Sequence, residues 1–367
     1  MLAVGLSLAL AVPAAAILPA NTAQPATGRS QGPVSETATL LKPLEGGVIE
    51  SPGGRYLASV EGGTVKIFDR RLGKVVRKLS NPDSMGELYS ASYTPNGRYL
   101  VTGASRGLFI FWPTWHHQPA FTIDVHKSDK MYGIPVAISP DSRYLAAGRL
   151  SNNPDNGALI YEIDIFEIPT RRFVRRLLVS EGLDTSPGHS PSMEIAFHPL
   201  GRYLAAGVEY DQGHHALKHE YIKIFDFETN RWAWWLKGAP PLSYSANGKY
   251  FVFQSPTRHL EGNHHHWAIR LWNTRANKLK TLQANMDYGS SNLALSPDGN
   301  YLLAEAADKI GTEPKLRLFS ARSGAQLQTL EIKEGLDKAH SFSRDGRELF
   351  SFYPYYKTAP LEIRRVD

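Results

Sequence analysis

Seven times along this 367-residue chain, a short apolar run meets a turn of small and polar residues and resumes as a second apolar run. The segments are SPGGRYLASV (51–60), TPNGRYLVTG (94–103), SPDSRYLAAG (139–148), HPLGRYLAAG (198–207), SANGKYFVFQ (245–254), SPDGNYLLAE (296–305) and SRDGRELFSF (343–352). Each predicts a β-hairpin: Pro presets φ, Asp or Asn bonds its own backbone, and Gly accepts a positive φ. Downstream, a third strand alternates in polarity, as in Val65-Lys66-Ile67-Phe68, Ile222-Lys223-Ile224-Phe225 and Leu316-Arg317-Leu318-Phe319. The two-residue period puts Val65 and Ile67 on one face of the strand, and Lys66 and Phe68 on the other. A fourth strand follows, as in Val75–Leu79 or Gln326–Leu330. The repeats start 43, 45, 59, 47, 51 and 47 residues apart. Four short strands at a period in the forties predict an all-β, seven-bladed β-propeller with antiparallel blades. Armadillo or HEAT units of similar length would carry helical apolar spacing, which is absent.

The last repeat has only three strands, ending with Leu361–Arg365, while residues 37–44 (TATLLKPL) read as a fourth strand ahead of the first repeat. Pairing the two would complete the seventh blade and close the ring, removing two open sheet edges. The expected organisation is a signal peptide over 1–20, a flexible lead over 21–36 and the propeller over 37–367.

Through the SPDGxYLA segments, the third strands IKIFD and IRLWN and the fourth strands that follow, residues 37–367 resemble the WD40-like β-propellers. The Gly-His pair of that family is absent. Its Trp-Asp dipeptide is replaced by Phe68-Asp69, Phe225-Asp226 or Trp272-Asn273. The resemblance implies a binding scaffold, with no transfer of eukaryotic WD-repeat biology.

Composition narrows the chemistry. The chain has no cysteine, so disulfides, thiolate catalysis, cysteine metal ligands and C-x-x-C-H haem attachment are excluded. Its first 20 residues, MLAVGLSLALAVPAAAILPA, are uncharged, apolar to Leu18 and carry an A-x-A pattern at Ala14–Ala16. They read as a secretory signal, with an uncleaved N-terminal anchor as the alternative. A periplasmic or secreted bacterial protein is expected, with no integral span in the mature chain. Gly103-Ala104-Ser105-Arg106-Gly107 matches G-x-S-x-G, but it joins two strands instead of forming a strand–turn–helix elbow.

Strand order sorts the loops onto two faces. Turns between strands one and two, and between three and four, fall on one face, here the turn face. Connections between strands two and three, and between blades, fall on the other, the loop face. The long segments 149–158, 180–192, 208–219, 254–265, 305–314 and 353–360 all map to the loop face, which is where a rigid scaffold usually binds. Nine of the thirteen histidines map there. If 264–266 is a strand, His264 and His266 point the same way, about 7 Å apart, and can share a Zn²⁺ or Cu²⁺ ion with His215 or His219 as a third ligand and His214 nearby in the same loop. Glu209, Asp211 and Glu261 are further candidate ligands. Tyr353, Tyr355 and Tyr356, with His189, are candidate partner contacts, since tyrosine offers a broad face and a polar tip.

The turn face carries cations at the end of six of the seven hairpin turns: Arg55, Arg98, Arg143, Arg202, Lys249 and Arg347. With a net charge of +6, this predicts a polarised molecule whose basic face can meet an anionic surface. No nucleic-acid motif is present. On the outer strand NRWAWWL, alternation puts Trp232 and Trp234 on one side and Trp235 on the other. Two functions are expected. One is an exported, non-catalytic propeller binding a protein or cell-envelope polymer through its loop face. The other is a metal-binding protein or enzyme centred on His214, His215, His264 and His266.

Overall fold

The computed structural model describes residues 33–34, 39–45, 47–61, 63–80, 88–104, 107–125, 135–152, 155, 159–183, 192–209, 221–259, 265–286, 292–306, 315–330, 339–352 and 360–366. Seven four-stranded antiparallel sheets form the ring. Blades one to six span 47–80, 88–124, 136–183, 192–237, 239–286 and 292–330. Blade seven takes three strands from 339–365 and its outermost strand from Thr39–Glu45, which pairs antiparallel with Pro360–Arg365 (Thr39 opposite Ile363). The N-terminus thus closes the ring, in the order read from the pattern.

The packed chain reaches further back than residue 37. Val34, in the segment read as a flexible lead, is fully buried between blades six and seven. It forms an antiparallel bridge with Val366, and its N–H and C=O bond the side-chain amide of Gln328 at 3.1 and 2.8 Å.

The core is distributed over seven clusters, one per seam between neighbouring blades. Two-residue alternation assigns each side chain to a seam. Val65 and Ile67 join blade two's Ile110 and Trp112, whereas Phe68 turns the other way to Phe350 of blade seven. Blade four repeats this: Ile222 and Ile224 meet Phe251 and Phe253 of blade five, and Phe225 meets Ile163 and Ile165 of blade three. Each buried Ile, Leu or Phe contributes about 2 kcal/mol, and every blade depends on both neighbours for that burial.

The repeated decapeptide builds the turn between strands one and two. In six blades a Ser or Thr opens it and accepts the backbone N–H five residues on, as Ser51 does from Tyr56 and Ser139 from Tyr144. The fourth turn residue has φ between 60° and 80° in all seven blades. It is Gly in six of them and Ser142 in blade three, where the extra hydroxyl accepts the backbone N–H of Asn96 from blade two.

A bulge recurs at the second or third residue of the outer strand. In blades one, three, four and six the ladder skips Val76, Val174, Ala233 and Leu327. In blade four this reverses the expected side-chain sides. Trp232 and Trp235 share the face toward blade three, flanking the Lys223 ammonium at 5.7 and 4.9 Å. Trp234 faces blade five and meets Trp272 edge-on at 5.9 Å.

Candidate functional site

The two faces differ in how much chain they carry. On the turn face, connections are four or five residues in all but one case, the seven-residue 114–120. The loop face has eleven residues at 125–135 and at 210–220, and eight at 184–191, 307–314 and 331–338. His189, His214, His215, His264, Tyr353, Tyr355 and Tyr356 lie outside the described residues, as do His219, Asp211 and Glu261. Of the four metal candidates, His266 alone is described. The strand begins at His265, and the blade-five hairpin pairs His259 with His265 and Arg258 with His266. Among the described residues no group of three or more His, Asp or Glu is placed to hold a metal ion.

On the turn face, half of the sequence-read cationic ring is consumed by the scaffold. Arg55 bonds Asp69 at 2.7 Å, Arg143 bonds Glu167 at 2.9 Å, and Arg202 bonds Asp226 at 2.8 Å. Each carboxylate is the last residue of its blade's third strand, directly across from the arginine's turn. The guanidinium beside Asp226 holds its carboxyl down to about 2. Phe68-Asp69 and Phe225-Asp226 are thus a strand end that clamps the neighbouring turn. Third strands ending in Pro113 and Arg365 supply no such carboxylate, and Arg98 and Arg347 form no ion pair among the described residues.

Blade four replaces the turn-opening serine with His198. Its Nε2 lies 3.0 Å from the Gly248 carbonyl of blade five, and its Nδ1 accepts the Leu200 N–H at 3.2 Å. Both bonds require the neutral ring protonated at Nε2. Burial lowers the His198 pKa, partly offset by the bond to Gly248, and nearby Arg275 lowers it further. The unfolded chain therefore takes up the proton first. This contribution is complete above the ordinary histidine pKa of about 6.5 and is lost as pH falls from there toward the depressed folded value. Urea titrations at pH 7.5 and 5.5 are expected to show a stability loss that shrinks in His198→Ser, which restores the residue type of the other blades. An identical pH response in the two proteins contradicts this role.

Buried polar groups line the inner seams. His340, on the first strand of blade seven, places Nδ1 2.8 Å from Ser351 Oγ and Nε2 3.8 Å from the Glu305 carboxylate of blade six. The order Ser–His–carboxylate is that of a nucleophile, base and orienting acid. Ser351 is only 3 % exposed and Glu305 0 %, so the group is packed between blades and closed to a substrate. The Asn292 side-chain amide spans the same seam; with its oxygen and nitrogen exchanged, it donates to the His340 backbone carbonyl at 3.1 Å and accepts the His340 N–H at 3.2 Å. Farther round, Glu194 accepts the Leu242 N–H at 2.7 Å, and burial pushes its carboxyl up. Glu50 accepts the Arg344 N–H and pairs with Arg70, which also grips Glu348, so the closing seam is tied on the turn face. None of these seam residues stands out in sequence, because single polar residues inside apolar strands carry no spacing signal.

A small pocket of about 160 Å³ opens on the turn face between blades three and four, walled by Tyr144, Phe197 and Phe227 and edged by Arg175 and Asp141.

No protein-family model matches this chain, and no curated protein matches it in sequence. Solved structures match its fold. The β-propeller domain of Cps50 (Swd1) from Myceliophteria thermophila has a TM-score of 0.59 at 18% identity, covering 87% of this chain and 96% of that one. A chain of the hydrazine synthase of Kuenenia stuttgartiensis has a TM-score of 0.63 at 17% identity, covering 93% of this chain and 100% of that one. At these identities the likeness is one of fold: a seven-bladed ring.

Proposed function

We propose that this chain is a divergent WD40-like propeller, exported to the periplasm or cell exterior, that acts as a non-catalytic scaffold. Its loop face binds a protein or a cell-envelope polymer. The observation that carries this reading is the asymmetry of the connections. A ring tied by short clamped turns on one face holds connections of up to eleven residues on the other. A rigid frame under long loops lowers the ordering cost of binding. The test replaces 210–220 and 353–359 with short Gly-Ser links, which leaves every described strand in place. Pull-downs from the native compartment are expected to lose the partner while the melting temperature is kept. Full retention of the partner in both variants contradicts the assignment.

A second reading, a Zn²⁺ or Cu²⁺ site, draws on the register of blade five, which brings His259 opposite His265 with His266 adjacent at the loop-face end of the hairpin. Metal content of untagged protein separates the two. The scaffold reading expects substoichiometric mixed metals, unchanged in His264→Ala/His266→Ala. One equivalent of a single metal, lost in that variant, establishes the second reading.

A further inference from the structure

The turn face combines two properties that the loop-face proposal does not use. Its thirteen connections contain twelve Arg and Lys against four Asp and Glu. Adding the strand-end carboxylates Glu50, Asp69, Glu167, Asp226 and Glu348 leaves twelve against nine. The outer strands then enter with Lys74, Arg172, Arg231 and Lys278, which raises the cations to sixteen. Since the whole molecule carries +6, the excess positive charge is concentrated on this side.

The same face holds large apolar side chains out in solvent. Leu200 is 71 % exposed, Trp115 69 % and Leu72 58 %, each within a turn-face connection of a different blade. Phe173, Leu279 and Leu327, each the second residue of an outer strand, are exposed around the rim. Trp115 is held in place. Its connection, 114–120, folds against blade one, where the Arg77 guanidinium donates to the carbonyls of Pro113, Thr114 and His116. A backbone anchored in this way loses little freedom when its side chain enters another medium.

We propose that the turn face docks on an anionic lipid bilayer. Trp115, Leu72 and Leu200 enter the headgroup region, and the arginines that form no ion pair among the described residues meet lipid phosphates. Trp favours that depth, where its ring is in apolar surroundings and its N–H stays wet. Basic residues near an anionic leaflet add attraction that falls off within a Debye length. Charge alone fits an acidic polysaccharide or protein equally. The separate apolar side chains projecting from one end of a closed ring are what favour a membrane surface. Bound this way, the propeller turns its loops away from the membrane.

The arginines that clamp turns are unsuitable for the test, since changing them damages the fold. Arg71, Arg98 and Arg347 form no ion pair among the described residues, and they serve instead. The full-length protein is sedimented with vesicles of 70:30 phosphatidylcholine:phosphatidylglycerol and with pure phosphatidylcholine. Binding to the anionic vesicles is expected to weaken in high salt. It should fall about a hundred-fold in Arg71→Ser/Arg98→Ser/Arg347→Ser, taking about five-fold per charge, with melting unchanged. Brominated lipid is expected to quench tryptophan fluorescence in the native protein and to lose most of that quenching in Trp115→Phe. Equal binding to both vesicle types, or binding indifferent to these substitutions, overturns the proposal, because it places the membrane contact in another part of the chain. Capture by an immobilised acidic polysaccharide without binding to anionic vesicles overturns it in favour of a glycan partner.

Discussion

A chain lacking residues 1–45 is expected not to form the native ring. Residues Thr39–Glu45 are the fourth strand of blade seven, and they are the covalent means by which the last blade is tied to the first. Their loss strips the ladder from Pro360–Arg365 and leaves an open strand edge beside blade one. Val34 goes with them, and with it a fully buried side chain between blades six and seven and both bonds to Gln328. Because every seam borrows half its core from each neighbour, the damage spreads around the ring. Size-exclusion chromatography and circular dichroism are expected to find aggregate or a non-cooperative melt. Adding back a peptide spanning residues 33–45 should restore part of the cooperative transition. A gentler variant, Val34→Asp, buries a carboxylate at a site with no exposure and is expected to cost about 3 kcal/mol or more. A truncated protein that melts as the full chain does would contradict the closure described here.

His340→Ala is expected to produce the largest loss of any single histidine substitution, about 3 kcal/mol, or on the order of 5 °C in melting temperature. The imidazole joins Ser351 within blade seven to Glu305 across the seam. Removing it leaves the buried carboxylate without that partner and opens a void between two blades. Ser351→Ala removes the Nδ1 contact alone and is expected to cost about 1 kcal/mol. The ordering His340→Ala above Ser351→Ala, measured by urea denaturation, is the informative result. Equal stability of His340→Ala and the native protein would show that the cluster contributes nothing to the fold.

Most of the scaffold was legible in the pattern of apolar positions, for a physical reason. A strand buried on both sides has two seams to fill, and alternation divides its side chains between them, so Val65 and Ile67 part from Phe68 as the spacing requires. The turns were legible because Ser, Pro, Asp and Gly each satisfy a backbone requirement. The side of Trp232 was not legible. One skipped residue, Ala233, reverses the alternation, and nothing in RWAWWLK marks where the ladder slips. The basic ring was legible only as a row of cations, because composition cannot tell an arginine left unpaired in its turn from one that clamps an aspartate. Arg55 and Arg98 occupy the same turn position, and the difference lies in Asp69 against Pro113 at the far strand end. The His340 cluster joins residues from different strands and two blades, a relation that no local spacing encodes. The loop face is a different case. Its histidines and tyrosines remain expectations, since long polar connections carry composition but no periodicity from which to place a side chain.

Crosslinking mass spectrometry on the protein in its native compartment, with a lysine-reactive reagent, tests the central claim most directly. If the loop face is the partner-binding face, crosslinks to a recurring partner fall on Lys218, Lys309 and Lys357, which lie in the loop-face connections 210–220, 307–314 and 353–359. Protein–protein crosslinks confined to Lys74, Lys249 and Lys278 on the turn face, with none on the loops, would contradict it.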